Sequence, residues 1–314
     1  MTSDLENLIS ELKKDCNKII IMHANADADA LGSAYALSRA FMNFRIGASE
    51  GIDRTAKKLA DKLRIDIIPN PDIENFDLIF VLDTSTQQML GKLAEKLHAP
   101  IIIDHHTKAR WGEAKLYYCD ESKSSCAEII YEILERVNFK VDEKIAFALL
   151  AGIITDTGRF RRATADTFRA VAELLHKAKI DLASVIALSE EELDISGKIA
   201  LLKAAQRLKY VTINNYILAS SIVGAFESYA AKVLLNLGAD IAIVGSKKNS
   251  DYIVVARARE NVPIQLGRLM QELGKELNAS GGGHEGAAGI AGVGDVERIV
   301  EICNRKIINI LKPI

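Results

Sequence analysis

An alternation in the first half restricts most strongly what this chain can fold into. Short β-branched runs, IIIM at 19–22, LIFVL at 78–82 and PIII at 100–103, are separated by helix-length amphipathic segments such as Gln87–His98. Strands that alternate with helices pair in parallel, so the pattern predicts an α/β fold built on a doubly wound, mainly parallel sheet. From about Ser124 to Leu188 the spacing turns helical. Ala127–Val137, Glu143–Ile154 and Thr167–Ala178 each repeat apolar residues three and four apart, which closes this half with a helical layer.

The stretch Ser189–Tyr210 opens with charges and continues as one amphipathic helix, as a connector does. Beyond it, VTI and YILASSI flank Asn214-Asn215, a tight-turn pair because Asn tolerates positive φ, and IAIVGS with YIVVARA reads as a second strand pair. The expected organisation is a domain over 1–188, a helical linker over 189–210 and a smaller α+β domain over 211–314. A length of 314 residues agrees with two domains.

Composition narrows the classes of function. Forty Lys and Arg against 42 Asp and Glu leave a net charge of −2, so no overall field holds a long polyanion or an acidic membrane. A nucleic-acid ligand should therefore be short or gripped locally. Cys16, Cys119, Cys126 and Cys303 show no Cys-x-x-Cys spacing, which reads as reduced thiols in a cytoplasmic protein. The opening MTSDLENLISELKKD is polar and helical in spacing, unlike a signal peptide, and the longest apolar run, Ile145–Ile154, falls far short of the roughly 20 residues of a membrane span.

Carboxylates and imidazoles gather directly behind the predicted strands. His23, Asp27 and Asp29 follow IIIM, Asp83 follows LIFVL, and Asp104, His105 and His106 follow PIII, at the sheet edge where open α/β folds bind ligands. Asp156, ending an apolar run before Gly158 and Arg159, Arg161 and Arg162, could join them. So many carboxylates repel one another unless protons or cations intervene. Oxygen-rich ligation with about one imidazole per ion suits Mn²⁺ or Mg²⁺ better than a thiolate-preferring metal, with Zn²⁺, Co²⁺ and Fe²⁺ left open. Each aspartate alone is more often a helix cap or turn residue. The joint occurrence, with the adjacent pair His105-His106, is what points to metal.

These residues resemble a known family. HANADADALGS (23–33), VLDTS (81–85), DHH (104–106) and TDTGRF (155–160) resemble, in order and spacing, the four motifs of the DHH phosphoesterase superfamily, and GGGHEGAAG (281–289) looks like the signature of its associated C-terminal domain. The branch it resembles most is the stand-alone nanoRNase and pAp-phosphatase type, related to RecJ-type exonucleases. By motif, the resemblance implies one ion held by His23, Asp27 and Asp83 and a second held by Asp29, Asp83, His105 and Asp156, with Asp83 bridging. His106 would face the scissile phosphate and Asp104 would support the imidazoles. Ala26 departs from the proline usual before the first aspartate.

In the second half, glycines let a backbone approach an anion closely, and His284 can donate to it; a flexible loop is the plainer reading of the same run. The resemblance assigns substrate binding to Arg257, Gly281, Gly282, Gly283 and His284, with Arg259 less certain. It implies a hydrolase with two divalent ions, Mn²⁺ first and Mg²⁺ or Co²⁺ next, that cleaves short oligonucleotides and pAp to mononucleotides. Cyclic-dinucleotide cleavage and RecJ-like exonuclease action stand as alternatives. A manganese pyrophosphatase and a catalytically silent nucleic-acid-binding protein are more distant, and a homodimer is allowed. His98 and His176 read as surface or cap residues, and Phe160 as packing.

Overall fold

The computed structural model describes residues 2–107, 111–190 and 193–312, and the chain divides into two units, Met1–Glu191 and Glu192–Ile314. In the first unit α1 (Thr2–Leu12) precedes β1 (Lys18–Met22), α2 (Ala28–Ala40), β2 (Phe44–Ala48), α3 (Arg54–Leu63), β3 (Ile68–Pro69), β4 (Leu78–Leu82), β5 (Ile101–Asp104) and β6 (Leu116–Cys119). Four helices follow: α4 (Cys126–Arg136), α5 (Glu143–Asp156), α6 (Ala165–Ala178) and α7 (Leu182–Ser189). The six strands are all parallel in the order β3-β2-β1-β4-β5-β6. This is the doubly wound sheet that the alternation predicts.

Both faces of the sheet are covered, which is why its strands read as unbroken apolar runs. Ile20, Met22, Phe80, Leu82, Ile101 and Ile103 face the large core under the helices. Ile19, Ile21, Val81 and Ile102 face a smaller core closed by Leu90, Leu93 and Leu97. Helix α2 lies close on α5 because residue 32 is glycine: a Cβ there would stand 2.3 Å from the Ala148 carbonyl oxygen. Lys18, 1% exposed, spends its charge locally, its Nζ donating to the carbonyls of Leu12 (2.8 Å) and Lys14 (2.6 Å), which the end of α1 leaves unpaired.

One expected helix is different. Gln87–Lys96 forms short 3-10 turns broken at Gly91, which has φ 51°. The carbonyl of Met89 is taken by the Ala24 amide and that of Leu90 by Ser49 Oγ, so neither serves an intrahelical ladder.

The second unit carries α8 (Ile195–Gln206), β7 (Lys209–Ile213), β8 (Tyr216–Val223), α9 (Glu227–Asn236), β9 (Ile241–Lys248), β10 (Asp251–Ala258), α10 (Leu266–Glu276), β11 (Ser280–His284), β12 (Ala287–Val293) and α11 (Val296–Leu311). Its sheet runs β11-β12-β10-β9-β8-β7, antiparallel except for the β8–β9 pair. Helix α8 packs on β8 and α9, so the helix within the expected linker contributes to this unit's own layer; Glu191 and Glu192 of that linker lie outside the described residues. Asn214, at φ 52°, makes the β7–β8 turn. Among the described residues no helix is long and apolar enough to cross a membrane.

Candidate metal centre

Strand order reverses between β1 and β4, the place in an open α/β sheet where ligands bind beside the carboxyl ends of the strands. His23 leaves β1, with its Nδ1 2.9 Å from the Ala24 carbonyl. Asp27 is the N-cap of α2, its Oδ1 accepting the amides of Asp29 (2.9 Å) and Ala30 (3.1 Å). Asp83 follows β4 in a left-handed backbone, φ 51°. Asp104 ends β5 and accepts the His105 amide at 2.9 Å. Asp156 closes α5.

These positions converge. His23, Asp27 and Asp83 bring ligand atoms within 4.8 Å of one another, as do Asp29, His105 and Asp156, and as do Asp83, His105 and His106. His105 Nε2 stands 3.3 Å from Asp83 Oδ1 and 3.2 Å from Asp156 Oδ2. Yet Asp83 Oδ1 and His105 Nε2 are buried with no hydrogen-bond partner. His106 is turned otherwise: its Nδ1 is 2.8 Å from Asp104 Oδ1, on a carboxylate that is fully buried.

The electrostatics follow from burial and crowding. Burial, then the charge of Asp83, lifts the Asp27 carboxyl above its ordinary range. Asp29 is pushed up further by full burial and by Asp83, Asp156 and Asp27. Burial also raises Asp156, against the pull of His105. Burial alone would lower His105, but the surrounding carboxylates outweigh it and raise its pKa to about 9. His106 is raised by its hydrogen bond to Asp104. Without cations, the cluster keeps protons that ordinary aspartates would lose.

Asp29 has a second occupation that the sequence reading missed. Its Oδ2 accepts the Cys126 amide at 2.6 Å and its Oδ1 the Ala127 amide at 2.9 Å, the first two free N–H groups of α4. The third, that of Glu128, goes to Ser125 Oγ at 3.3 Å. SCAE at 125–128, a Ser-x-x-Glu pattern, marked the helix start but not the aspartate that meets it. Gly152 makes room for this arrangement, since a Cβ there would stand 2.6 Å from Asp29 Oδ1.

The basic trio is divided. Arg159 donates from Nε to Ser189 Oγ (3.3 Å) and from Nη2 to the Ser189 carbonyl (3.0 Å), and Arg162 Nη2 donates to the Asp156 carbonyl. Arg161 is exposed. Gly158, Arg159 and Phe160 are all left-handed, at φ 59°, 59° and 68°. Phe160 packs against Phe168, ring centroids 5.5 Å apart. His98 and His176 are both exposed.

In the second unit the glycine run is a β-hairpin rather than a flexible loop. Arg257 pairs with Ala287, and Ala287 with His284, so the three share one face of β10, β12 and β11. Gly282 shares that face, and nothing stands within 4 Å of where its Cβ would be. Gly281 packs against α10, where a Cβ would lie 2.0 Å from the Met270 carbonyl oxygen. Gly283, at φ 142°, meets Ala288 in the same way. Arg257 Nη2 donates to Ser228 Oγ at 2.8 Å, while its buried Nε has no partner. Arg259 instead ties down the end of α9, donating to the carbonyls of Ala239 and Leu235.

Comparison with known proteins agrees with this arrangement. Residues 17–153 match the DHH family, N-terminal domain, and residues 214–309 match the DHHA1 domain. An uncharacterized protein of Methanocaldococcus jannaschii is 32% identical across 96% of this chain and 95% of its own length. The cyclic-di-AMP phosphodiesterase GdpP of Bacillus subtilis is 26% identical over 90% of this chain but only 46% of that protein. A probable bifunctional oligoribonuclease and PAP phosphatase, NrnA, of Streptococcus mutans is 30% identical over 63% of this chain and 64% of that one. The crystal structure of an exopolyphosphatase-related protein from Bacteroides fragilis has the same fold, with a TM-score of 0.70, 17% identity and coverage of 100% of this chain and 98% of that one. Two family matches in this order, with a relative aligned nearly end to end, make the chain a member of the DHH family that carries a DHHA1 domain after its DHH domain.

Proposed function

We propose that this DHH protein is a metal-dependent hydrolase of phosphoester bonds that cleaves short oligonucleotides, linear dinucleotides among them, and pAp. The observation that carries the reading is a pair of buried ligand atoms, Asp83 Oδ1 and His105 Nε2, that stand 3.3 Å apart with no hydrogen bond to satisfy either, in the midst of four further candidate ligands. A desolvated acceptor without a partner costs about 1–3 kcal/mol, and more when charged. A divalent cation removes that cost at several of these atoms together, so the residues fit such ions.

His23, Asp27 and Asp83 would hold one ion, and Asp29, Asp83, His105 and Asp156 the other. Their oxygen-rich set suits Mn²⁺, then Mg²⁺ or Co²⁺. Bound there, the ions would offset the clustered negative charge, acidify water and stabilise charge on phosphoryl oxygens. The chain's own contribution begins at His106. With Nδ1–H directed to Asp104, its Nε2 is the ring position left for the substrate, and the carboxylate favours the imidazolium that can donate a proton to an oxygen. Arg257, Gly282 and His284, on one face of the second sheet, offer a guanidinium, open backbone and an imidazole to a terminal phosphate.

The test is Mn²⁺-dependent product release from pAp, RNA of graded length, matching DNA, cyclic di-AMP and pyrophosphate, separated by chromatography. Rates that fall steeply beyond a few nucleotides support the reading, and undiminished rates on long strands refute it. A second reading, cleavage of cyclic dinucleotides, is favoured by the GdpP match, which extends over 90% of this chain. Exclusive turnover of cyclic di-AMP would decide for it.

A further inference from the structure

We infer that Glu128 is a positioning residue for one of the two candidate cation sites, the one formed by Asp29, His105 and Asp156, and not for the other. The inference rests on the metal-dependent reading just given. Glu128 is 4% exposed in the first turn of α4, and an isolated buried carboxylate is costly unless its oxygens are engaged. Here Oε1 is engaged: Thr167 Oγ1 donates to it at 3.0 Å and Ser125 Oγ at 3.5 Å.

What Glu128 ties together is specific. Its helix end supplies the Cys126 and Ala127 amides that hold Asp29. Thr167 Oγ1, its donor, also lies against Ser124 Oγ, and the neighbouring Lys123 carbonyl is 3.4 Å from His105 Nδ1, which leaves Nε2 directed at Asp83 and Asp156. Ser124 Oγ donates to the Arg162 carbonyl at 3.2 Å and lies 3.1 Å from Thr167 Oγ1, while the Arg162 guanidinium holds the Asp156 carbonyl. Three ligands of one set are therefore steadied through the same few residues. The carriers of the other set are different: His23 rests on its own loop, Asp27 caps α2, and Asp83 is fixed by β4 and its left-handed turn. Partners of this kind behind metal ligands are worth about 10- to 100-fold in affinity.

The experiment is calorimetric titration of the metal-free full chain with Mn²⁺ alone, comparing Glu128 with Glu128→Gln in two backgrounds. His23→Ala leaves the Asp29, His105 and Asp156 set; Asp156→Ala leaves the His23, Asp27 and Asp83 set. Glu128→Gln should raise the Mn²⁺ Kd about tenfold or more in the first background and less than twofold in the second. Thr167→Val, which removes the donor without changing side-chain shape, should repeat the pattern. Equal weakening in both backgrounds, or none in either, overturns the inference. If neither background takes up Mn²⁺, the parent chain decides: one weakened step and one unchanged step support it, and two equally weakened steps overturn it. A parent chain that takes up no Mn²⁺ at all refutes the underlying metal reading, a result distinct from the others.

Discussion

Asp83 sits at φ 51°, where a side chain with its own polar oxygen is favoured over alanine. Asp83→Asn therefore removes the charge and keeps the turn, whereas Asp83→Ala adds about 1–2 kcal/mol of backbone strain. Both should lower turnover by roughly a hundredfold or more, the scale of losing a central electrostatic group, and only Asp83→Ala should lower the melting temperature clearly. Near-normal turnover in Asp83→Asn would contradict the bridging role proposed for it. Protonation gives a second prediction. His105, with an ordinary value of 6.5 and a folded value of about 9, stabilises the metal-free protein fully below pH 6.5 and loses that contribution as pH rises through 9. The raised carboxyls of Asp27, Asp29 and Asp156 act in the same direction, because the folded state keeps protons that the unfolded chain has released. The metal-free melting temperature should fall between pH 6 and 9, while Mn²⁺ affinity, which requires those protons to leave, rises; affinity independent of pH would show that no such proton is displaced. At this scale the sequence was informative about His23, Asp27, Asp83 and His105, since groups of this chemistry behind successive strands have one edge to share, and about Asp156 through its place at the end of an apolar run. It was silent on Asp29 as a cap for α4, because the contact joins residues nearly a hundred positions apart.

Among elements, the parallel sheet was readable where strands are continuous apolar runs, and β2, β3 and β6 were missed because FRIGA, IP and LYYC mix glycine, proline, charge and aromatics, β3 and β6 at the sheet edges and β2 beside one of them. Gly91 defeats the helical pattern of 87–98, which counts apolar spacing but not carbonyls already taken by neighbouring loops. The glycine hairpin shows the same limit: the residues named a flexible or anion-binding loop, and only the contact with α10 separates Gly281 from Gly282. Substitution tests that separation. Gly281→Ala should destabilise the second unit by about 1–3 kcal/mol through overpacking, with a lower midpoint on denaturant unfolding. Gly282→Ala, facing open space, should leave the midpoint unchanged and raise KM if that face receives the substrate. An unchanged KM would remove Gly282 from the binding surface. In the first unit, Gly152→Ala presses on Asp29 and should weaken Mn²⁺ binding with the fold retained.

The whole molecule carries a net charge of −2 and two sheets with separate cores. Grip on a polyanion must then come from a few local contacts. A plot of log affinity against log salt for a short RNA should have a slope no steeper than about −2, since each phosphate neutralised on a single strand adds roughly −0.7. A slope several times steeper would indicate a long binding track. The double employment of two aspartates also bears on how such a gene decays. Asp27 caps α2 and Asp29 caps α4, so both serve the fold whether or not any reaction is carried out. Copies released from selection for turnover should shed His23, His106 and Asp156 first and keep the DAD triplet as a relic, so an intact Asp27-Ala28-Asp29 in a divergent descendant testifies to architecture and not to activity.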